Sequence, residues 1–319
     1  ITLLSVIGKI ITRAIANRIQ AEAESRGWLA DNQGGFRPGR RTEDNALVLL
    51  RALERRRQDG NGYVFFLDVK KAYDTVWRKG LLFKLHALGI RGSMYRLLEN
   101  LYTGTTSTVV GGAGVESREF VIEEGVRQGD PLSCVLFNLF FNDIMEAING
   151  ANCLGMRVGD VKQVKGLMFA DDVVGLATSK TGLSNLMDAV GEHSRKWRWA
   201  PNVAKSKVMT VLVKEPTKRA RFDDRLPSWK LRGKSVADCT EYKYLGIVVQ
   251  EDLNWEKHIR RIRDKARGRA GQWWTWLGKH RLRRDRKLNL YSMLVRRSVY
   301  QGGWRVRLRG QARGSRWHV

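Results

Sequence analysis

Two adjacent carboxylates, Asp171 and Asp172, interrupt an otherwise apolar run, KGLMFADDVVGLAT (165–178). A desolvated anion needs a partner and two side by side repel, so whatever fold this chain adopts must offset that cost. Alternation on both sides reads as strand, and Ala-Asp-Asp at the centre reads as the tight turn of a β-hairpin, where Asp tolerates the required backbone angles. Such a tip is either a wet turn or a magnesium site, in which hard carboxylate oxygens at a strand end hold a cation that also grips phosphate. The second reading requires another carboxylate strand elsewhere in the chain.

That strand is NGYVFFLDVKKAYD (61–74). Tyr63 to Leu67 is a short, aromatic-rich apolar run of buried-strand type, and Asp68 sits at its end. Asp74 reads as the cap of a helix over Trp77 to Leu88, which Gly89 closes, with a further helix to Leu101. Thr106 to Ile122 alternates as a hairpin. It leads into GVRQGDPLS (125–133), a Gly-bounded loop that suits a phosphate or a base or is simply a turn with an Asp-Pro stop. An apolar helix, Val135 to Ile148, follows. Thr181 to Trp199 is a helix with Leu183, Leu186, Met187 and Val190 inward. Lys205 and Lys207 come just ahead of a strand within Asn202 to Val213, and Cys239 to Gln250 is a strand pair about Leu245-Gly246.

Upstream, Leu3, Leu4, Ile7, Ile10, Ile11, Ile15 and Ile19 form an amphipathic helical stripe. The loop NQGGFRPGRRT (32–42) packs Gly with Arg, as a phosphate-facing loop or any basic loop does, and Thr42 caps the next helix. The chain reads as a fragment, because its first segment is already a helical pattern in mid-course and its last residues carry no stop signal.

Charge narrows the partner. The 58 Lys and Arg exceed the 32 Asp and Glu by 26, which points to a polyanion such as nucleic acid or an anionic membrane surface. No apolar run approaches the ~20 residues of a membrane span, so no membrane partner is expected. From Arg260 to Val319 there are 19 Lys or Arg against two Asp, with Trp273, Trp274 and Trp276 interleaved; this suits a helical surface gripping a duplex, the Trp cluster being core. Cys134, Cys153 and Cys239 are scattered, which argues against zinc or a disulfide framework and fits a reducing, intracellular compartment.

A strand-end Asp, a loop with Arg and Gln, an Asp-Asp hairpin and a following Lys, in this order, outline a polymerase palm. The chain resembles the reverse transcriptases of non-LTR (LINE-like) retrotransposons through LLSVIGKI, NQGGFRPGRRTEDN, FFLDVKKAYDTVW, GVRQGDPLS, FADDVV, NVAKSKVM and YKYLGI. The resemblance implies a mixed α/β (α+β) right-hand architecture: partial fingers at 1–60, a palm with finger elements at 61–250, and a basic helical thumb at 251–319. It implies an RNA-directed DNA polymerase extending a primer 3′-end, with RNA template, DNA primer or target, and dNTPs as partners, and two Mg²⁺ ions, replaceable by Mn²⁺, as cofactors. Asp68, the Val69 carbonyl and Asp171 would hold metal, with Asp172 beside them. Lys205 would assist the pyrophosphate. Tyr73 would reject a ribose 2′-hydroxyl, Arg127, Gln128 and Gly129 would line the nucleotide, and Arg37 to Arg41 would lie near template or triphosphate. Tyr244, Leu245 and Gly246 would form a primer grip. A nuclear location would follow for a eukaryotic element; protein partners stay unspecified. The alternatives are an inactive or domesticated fragment that binds RNA only, and a group II intron maturase-like enzyme.

Overall fold

The computed structural model describes residues 4–159, 162–212 and 228–279, with positions 283, 285, 286 and 289. The chain divides into two compact units, Ile1–Trp255 and Glu256–Val319. In chain order the first contains helices α1 (Val6–Ser25) and α2 (Thr42–Asp59), strand β1 (Gly62–Leu67), and helices α3 (Arg78–Ala87) and α4 (Gly92–Tyr102). Two-residue strands β2 (Thr106–Ser107) and β3 (Phe120–Val121), helices α5 (Pro131–Phe141) and α6 (Ile144–Gly150), and the ribbon β4 (Met156–Val158) and β5 (Lys162–Val164) follow. Next come β6 (Gly166–Phe169), β7 (Asp172–Ala177), helix α7 (Lys180–Lys196) and β8 (Lys207–Val211). The unit ends with β9 (Lys230–Leu231), β10 (Lys234–Ser235), β11 (Ala237–Asp238), β12 (Glu241–Tyr244) and β13 (Ile247–Gln250). The described helix of the second unit is α8 (Glu256–Lys279).

One five-stranded sheet, in the order β11-β8-β1-β7-β6, positions the carboxylates. Its central strand β1 runs antiparallel to both neighbours, and all six of its residues are buried because both faces are covered. On one face Tyr63, Phe65 and Leu67 join the main core with Phe137 and Phe141 of α5 and with Leu183, Leu186, Met187 and Val190 of α7. Alternation turns Val64 and Phe66 to the other face, where α2 buries Leu49, Leu50 and Leu53. Burying a side chain of this size contributes roughly 1.5–3 kcal/mol, so the two layers hold the strand ends in place.

Several expectations need correction. Pro131–Gly150 is a 20-residue stretch with mean hydropathy 1.3, long and apolar enough to cross a membrane by length and composition; it is largely buried inside the fold as core. It is also not one helix, because the chain turns at Asn142 and Asp143. Asn142 accepts the Ala30 amide through Oδ1 (2.7 Å) and donates to Trp28 O (3.0 Å). Asp130-Pro131 starts α5 rather than stopping a turn, since Asp130 Oδ1 accepts from Leu132 N and Pro131 fills the first helical turn. Asp74 does not cap α3, whose N-cap is Trp77. In α1 only the C-terminal half of the stripe is buried; Ile7, Ile10 and Ile11 are exposed while Ile15 and Ile19 are core.

Beneath the α5–α6 turn lies a buried ionic cluster. Asp143 Oδ1 is 2.6 Å from Lys84 Nζ and 2.8 Å from His193 Nε2, and Trp199 Nε1 donates to His193 Nδ1 at 3.1 Å. An indole N–H can only donate, so Nδ1 is the acceptor and Nε2 carries the proton given to Asp143. Burial, the largest cause, pushes the Lys84 ammonium down to about 8 and lowers His193 as well. Asp143 stays below the ordinary carboxylate range: burial works against this, but His193 and Lys84 together outweigh it.

Candidate active site

The carboxylates collect at one end of the sheet because of register. Leu67 pairs with Val173 as the last step of the β1–β7 ladder, and Asp68 and Asp172 are the next residues beyond that step, near enough for Asp68 to raise the Asp172 carboxyl. Phe169 pairs with Asp172 across β6 and β7, leaving Ala170 and Asp171 as a two-residue turn. The left-handed backbone falls on Ala170 (φ 57°), not on an Asp. Asp68 is anchored from below: its amide donates to the buried Ser206 Oγ (3.1 Å), its carbonyl accepts from Asn202 N (2.8 Å), and Val69 bridges to Pro201. Sequence reading missed Ser206, a small polar residue without a distinguishing pattern.

The electrostatics are those of uncompensated negative charge. Partial burial, then Asp171 and Asp68, push the Asp172 carboxyl up to about 6, with Lys243 opposing. Burial also raises Asp171, and Asp68 adds to it. Among the described residues no group of three or more His, Cys, Asp or Glu side chains is drawn in closely enough to hold a metal. The donor set nevertheless fits a hard divalent cation, since the charge of Asp68 raises the carboxyls of Asp171 and Asp172 and the cluster gains from a shared positive charge.

Beside the carboxylates, Tyr73 stacks on Phe137 of α5 (4.9 Å between centroids, 10° between planes). Burial is the main reason its hydroxyl is raised far above the ordinary value, with Cys134 and Asp171 adding to it. The 125–130 loop is zipped to the Tyr73 segment: Val126 N donates to Tyr73 O (2.8 Å), and Gln128 Nε2 donates to Asp74 Oδ1 (3.1 Å). A Cβ on Gly125 would sit 2.7 Å from Asp74 O, so glycine permits this approach. Buried Arg78 braces the same loop through Gly125 O, Tyr102 O, Thr105 Oγ1 and Ile122 O. Gly129, exposed at φ 96°, leads into the α5 cap.

The β12–β13 hairpin covers the carboxylate face. Tyr242 stacks on Phe66 (4.1 Å, 12°), Tyr244 is buried beside the same ring (6.2 Å), and Leu245 (φ 44°) and Gly246 (φ 89°) make the tip. Burial pushes the Tyr242 hydroxyl up to about 12, helped by Asp172 and Asp68, so the hairpin lies within electrostatic range of the site. Tyr242 was legible only as one residue of an alternating strand.

The predicted cations divide. Arg37 is turned inward, with Nη2 2.6 Å and Nε 3.0 Å from the Glu24 carboxylate and Nη1 donating to Ala30 O and Gln33 O. Arg127 donates to Leu101 O (3.0 Å) and lies over the Tyr102 ring. Both guanidinium groups brace loops in this arrangement. Arg41 and Lys205 are exposed, and among the described residues neither forms an ion pair with the three carboxylates.

A sheet of this topology, packed on helices and with a hairpin over its carboxylate end, defines a right-hand template-directed polymerase fold. Apo telomerase from Candida tropicalis superposes with a TM-score of 0.50 over 76% of this chain and 40% of that one, at 11% identity. Residues 1–249 match the model of the family described as reverse transcriptase (RNA-dependent DNA polymerase), and the chain belongs to that family. Its relatives include the RNA-directed DNA polymerase from mobile element jockey of Drosophila funebris, 28% identical over 305 residues, covering 92% of this chain and 31% of that protein. Another is the Pol polyprotein from type-1 retrotransposable element R2 of Popillia japonica, 30% identical over 212 residues, covering 66% and 29%. The chain thus spans about a third of the length of these relatives.

Proposed function

We propose that this chain carries the RNA-directed DNA polymerase centre of a non-LTR retrotransposon protein. The observation that carries the reading is the convergence of Asp68, Asp171 and Asp172 on one sheet end, beside Tyr73 and under the β12–β13 hairpin, in a chain of the reverse transcriptase family. Asp68, the Val69 carbonyl and Asp171 are the residues that would hold two Mg²⁺ or Mn²⁺ ions, with Asp172 alongside. When bound, such ions lower the pKa of the primer 3′-hydroxyl and compensate charge on the triphosphate.

The chain's own groups then supply position. Tyr73, stiffened by Phe137, presents bulk where a ribose 2′-hydroxyl would sit. Gln128 and Gly129 line the incoming dNTP. Lys205 offers an exposed ammonium to the pyrophosphate, and Arg41 an exposed guanidinium to template or triphosphate. Arg37 and Arg127 contribute by bracing the loops that flank them. Tyr244, Leu245 and Gly246 hold the primer end. Residues 1–60 serve as fingers, 61–250 as palm and 251–319 as the basic thumb, and the partners are an RNA template and a DNA primer.

Primer extension on an RNA template tests this reading, with dNTPs or NTPs supplied separately in Mg²⁺. The protein is expected to extend with dNTPs and to discriminate against NTPs, and Tyr73→Ala is expected to relax that discrimination by at least about tenfold, the scale of a single steric clash in a pocket. Equal use of NTPs by the parent, or discrimination unchanged in Tyr73→Ala, contradicts the assignment.

A further inference from the structure

The outer edge of β6 is not bare. Asn32 to Gly34 runs parallel beside it, with Met168 N donating to Asn32 O (2.9 Å) and Gly34 N donating to Met168 O (2.8 Å). Between those two hydrogen bonds the side chain of Gln33 enters the core and is fully buried. Its Oε1 accepts two backbone amides, Gly35 N (2.6 Å) and Ala170 N (3.0 Å), and its Nε2 donates to Asn138 Oδ1 (3.2 Å). Asn138, equally buried on α5, returns Nδ2 to Gly35 O (2.7 Å). This closed polar circuit lies directly under the turn that carries Asp171.

We infer that Gln33 is a positioning residue for the metal-holding turn, fixing the Ala170 peptide and through it the carboxylates of Asp171 and Asp172; this rests on the polymerase reading. Three observations carry the inference. Ala170 is held at φ 57°, a conformation that a residue with a Cβ keeps only where its surroundings over-determine it, and the Gln33 oxygen is the side-chain acceptor that meets its amide. Gly35 lies so close that an added Cβ would stand 2.2 Å from Ala170 N, so the loop is moulded to this turn. Asn138 belongs to the helix whose N-terminus follows Gln128 and Gly129, so the circuit ties the carboxylate turn and the nucleotide-lining loop to one rigid element. Buried amides that served only to fill space would be better replaced by apolar groups, whereas a fully satisfied network specifies one arrangement.

The test compares Gln33→Met, which keeps shape but removes the acceptor, with Gln33→Glu, which keeps an acceptor oxygen, and with Gly35→Ala. The expected result for Gln33→Met is a kcat for primer extension lower by roughly 10- to 100-fold, the cost of misplacing reacting groups by about an ångström. Primer–template Kd and the KM for dNTP stay within about twofold of the parent, as for a change felt at the chemical step. Gln33→Glu recovers most of kcat, and Gly35→Ala loses it. Independently of activity, amide exchange at Ala170 rises by at least about tenfold in Gln33→Met while the β1–β8 ladder keeps its protection, a local and not a global opening.

Unchanged kcat and unchanged Ala170 exchange in Gln33→Met overturn the inference. So does a loss of activity accompanied by equal loss of protection throughout the sheet, which is the mark of a merely structural residue. Selective opening at Ala170 together with a parent that never extends a primer overturns the polymerase reading instead, and with it the catalytic meaning of the turn.

Discussion

The Asp172 carboxyl is pushed up to about 6, because partial burial favours its neutral form and Asp171 and Asp68 add their charge. The three acids were legible in the sequence for the same reason: charge inside an apolar run has a cost that sequence alone displays. Arg37 shows the opposite case. An Arg among glycines reads as a phosphate ligand, and nothing in the local pattern reveals that Glu24, thirteen residues earlier, takes its guanidinium. Gln33 gave no signal at all, since one amide in a loop has no periodicity. The Lys84–Asp143–His193 cluster, equally invisible, yields a prediction about pH. Lys84 titrates near 8 when folded and near 10.5 when unfolded, so as pH falls through that window the unfolded chain binds the proton first and stability drops. His193 has the same sign below 6.5, where its folded value is depressed. Thermal unfolding is therefore expected to show a stability increment that rises from pH 8 to 10.5 in the parent and is absent in Lys84→Met. A parent and variant with parallel profiles would mean that burial does not perturb this lysine.

At the scale of elements, β1, α7 and the β12–β13 hairpin matched the periodicity of their residues, because each has a strong alternating or helical apolar pattern. Breaks were harder to read. The turn at Asn142-Asp143 sits inside a continuous apolar stretch, and the polar groups that make it belong to Trp28, Ala30, Lys84 and His193, all distant in sequence. Asp74 was assigned to a helix cap on local grounds, while its partner Gln128 lies on another loop. The hairpin tip stores strain that local rules do not favour: Leu245 holds φ 44°, where Asn or Gly is the usual occupant of such a turn. Leu245→Asn is expected to stabilise the protein by about 0.5–1 kcal/mol, judged by chemical unfolding, while weakening primer binding at the tip. A variant that is no more stable, or that binds primer as well as the parent, removes the functional reason for this strain.

For the whole molecule, a net charge of +26 on 319 residues favours a polyanionic partner before any site is considered. Part of that charge lies on α8, where Arg261, Lys265 and Arg269 are exposed at four-residue spacing and so share one face. Neutralising all three is expected to flatten the dependence of log K on log salt for duplex binding by about 0.9 for each phosphate no longer neutralised, or about 0.7 on single strands. An unchanged slope would place the nucleic-acid surface away from α8. The expectations for Trp274 and Trp276 concern side chains outside the described residues. Right-hand architecture was legible because its motifs come in a fixed order along the chain. Which cations face outward and which brace loops depends on packing across the unit that no single stretch contains.

The measurement that bears most directly on the three-carboxylate site is primer extension on RNA by the parent and by Asp171→Ala side by side, with primer–template binding measured on both. Extension is expected from the parent and a loss of at least about a thousandfold from Asp171→Ala, as for a group acting in the transition state, with binding unchanged or tighter. Extension by Asp171→Ala at a rate near that of the parent would contradict the placement of the site at this end of the sheet.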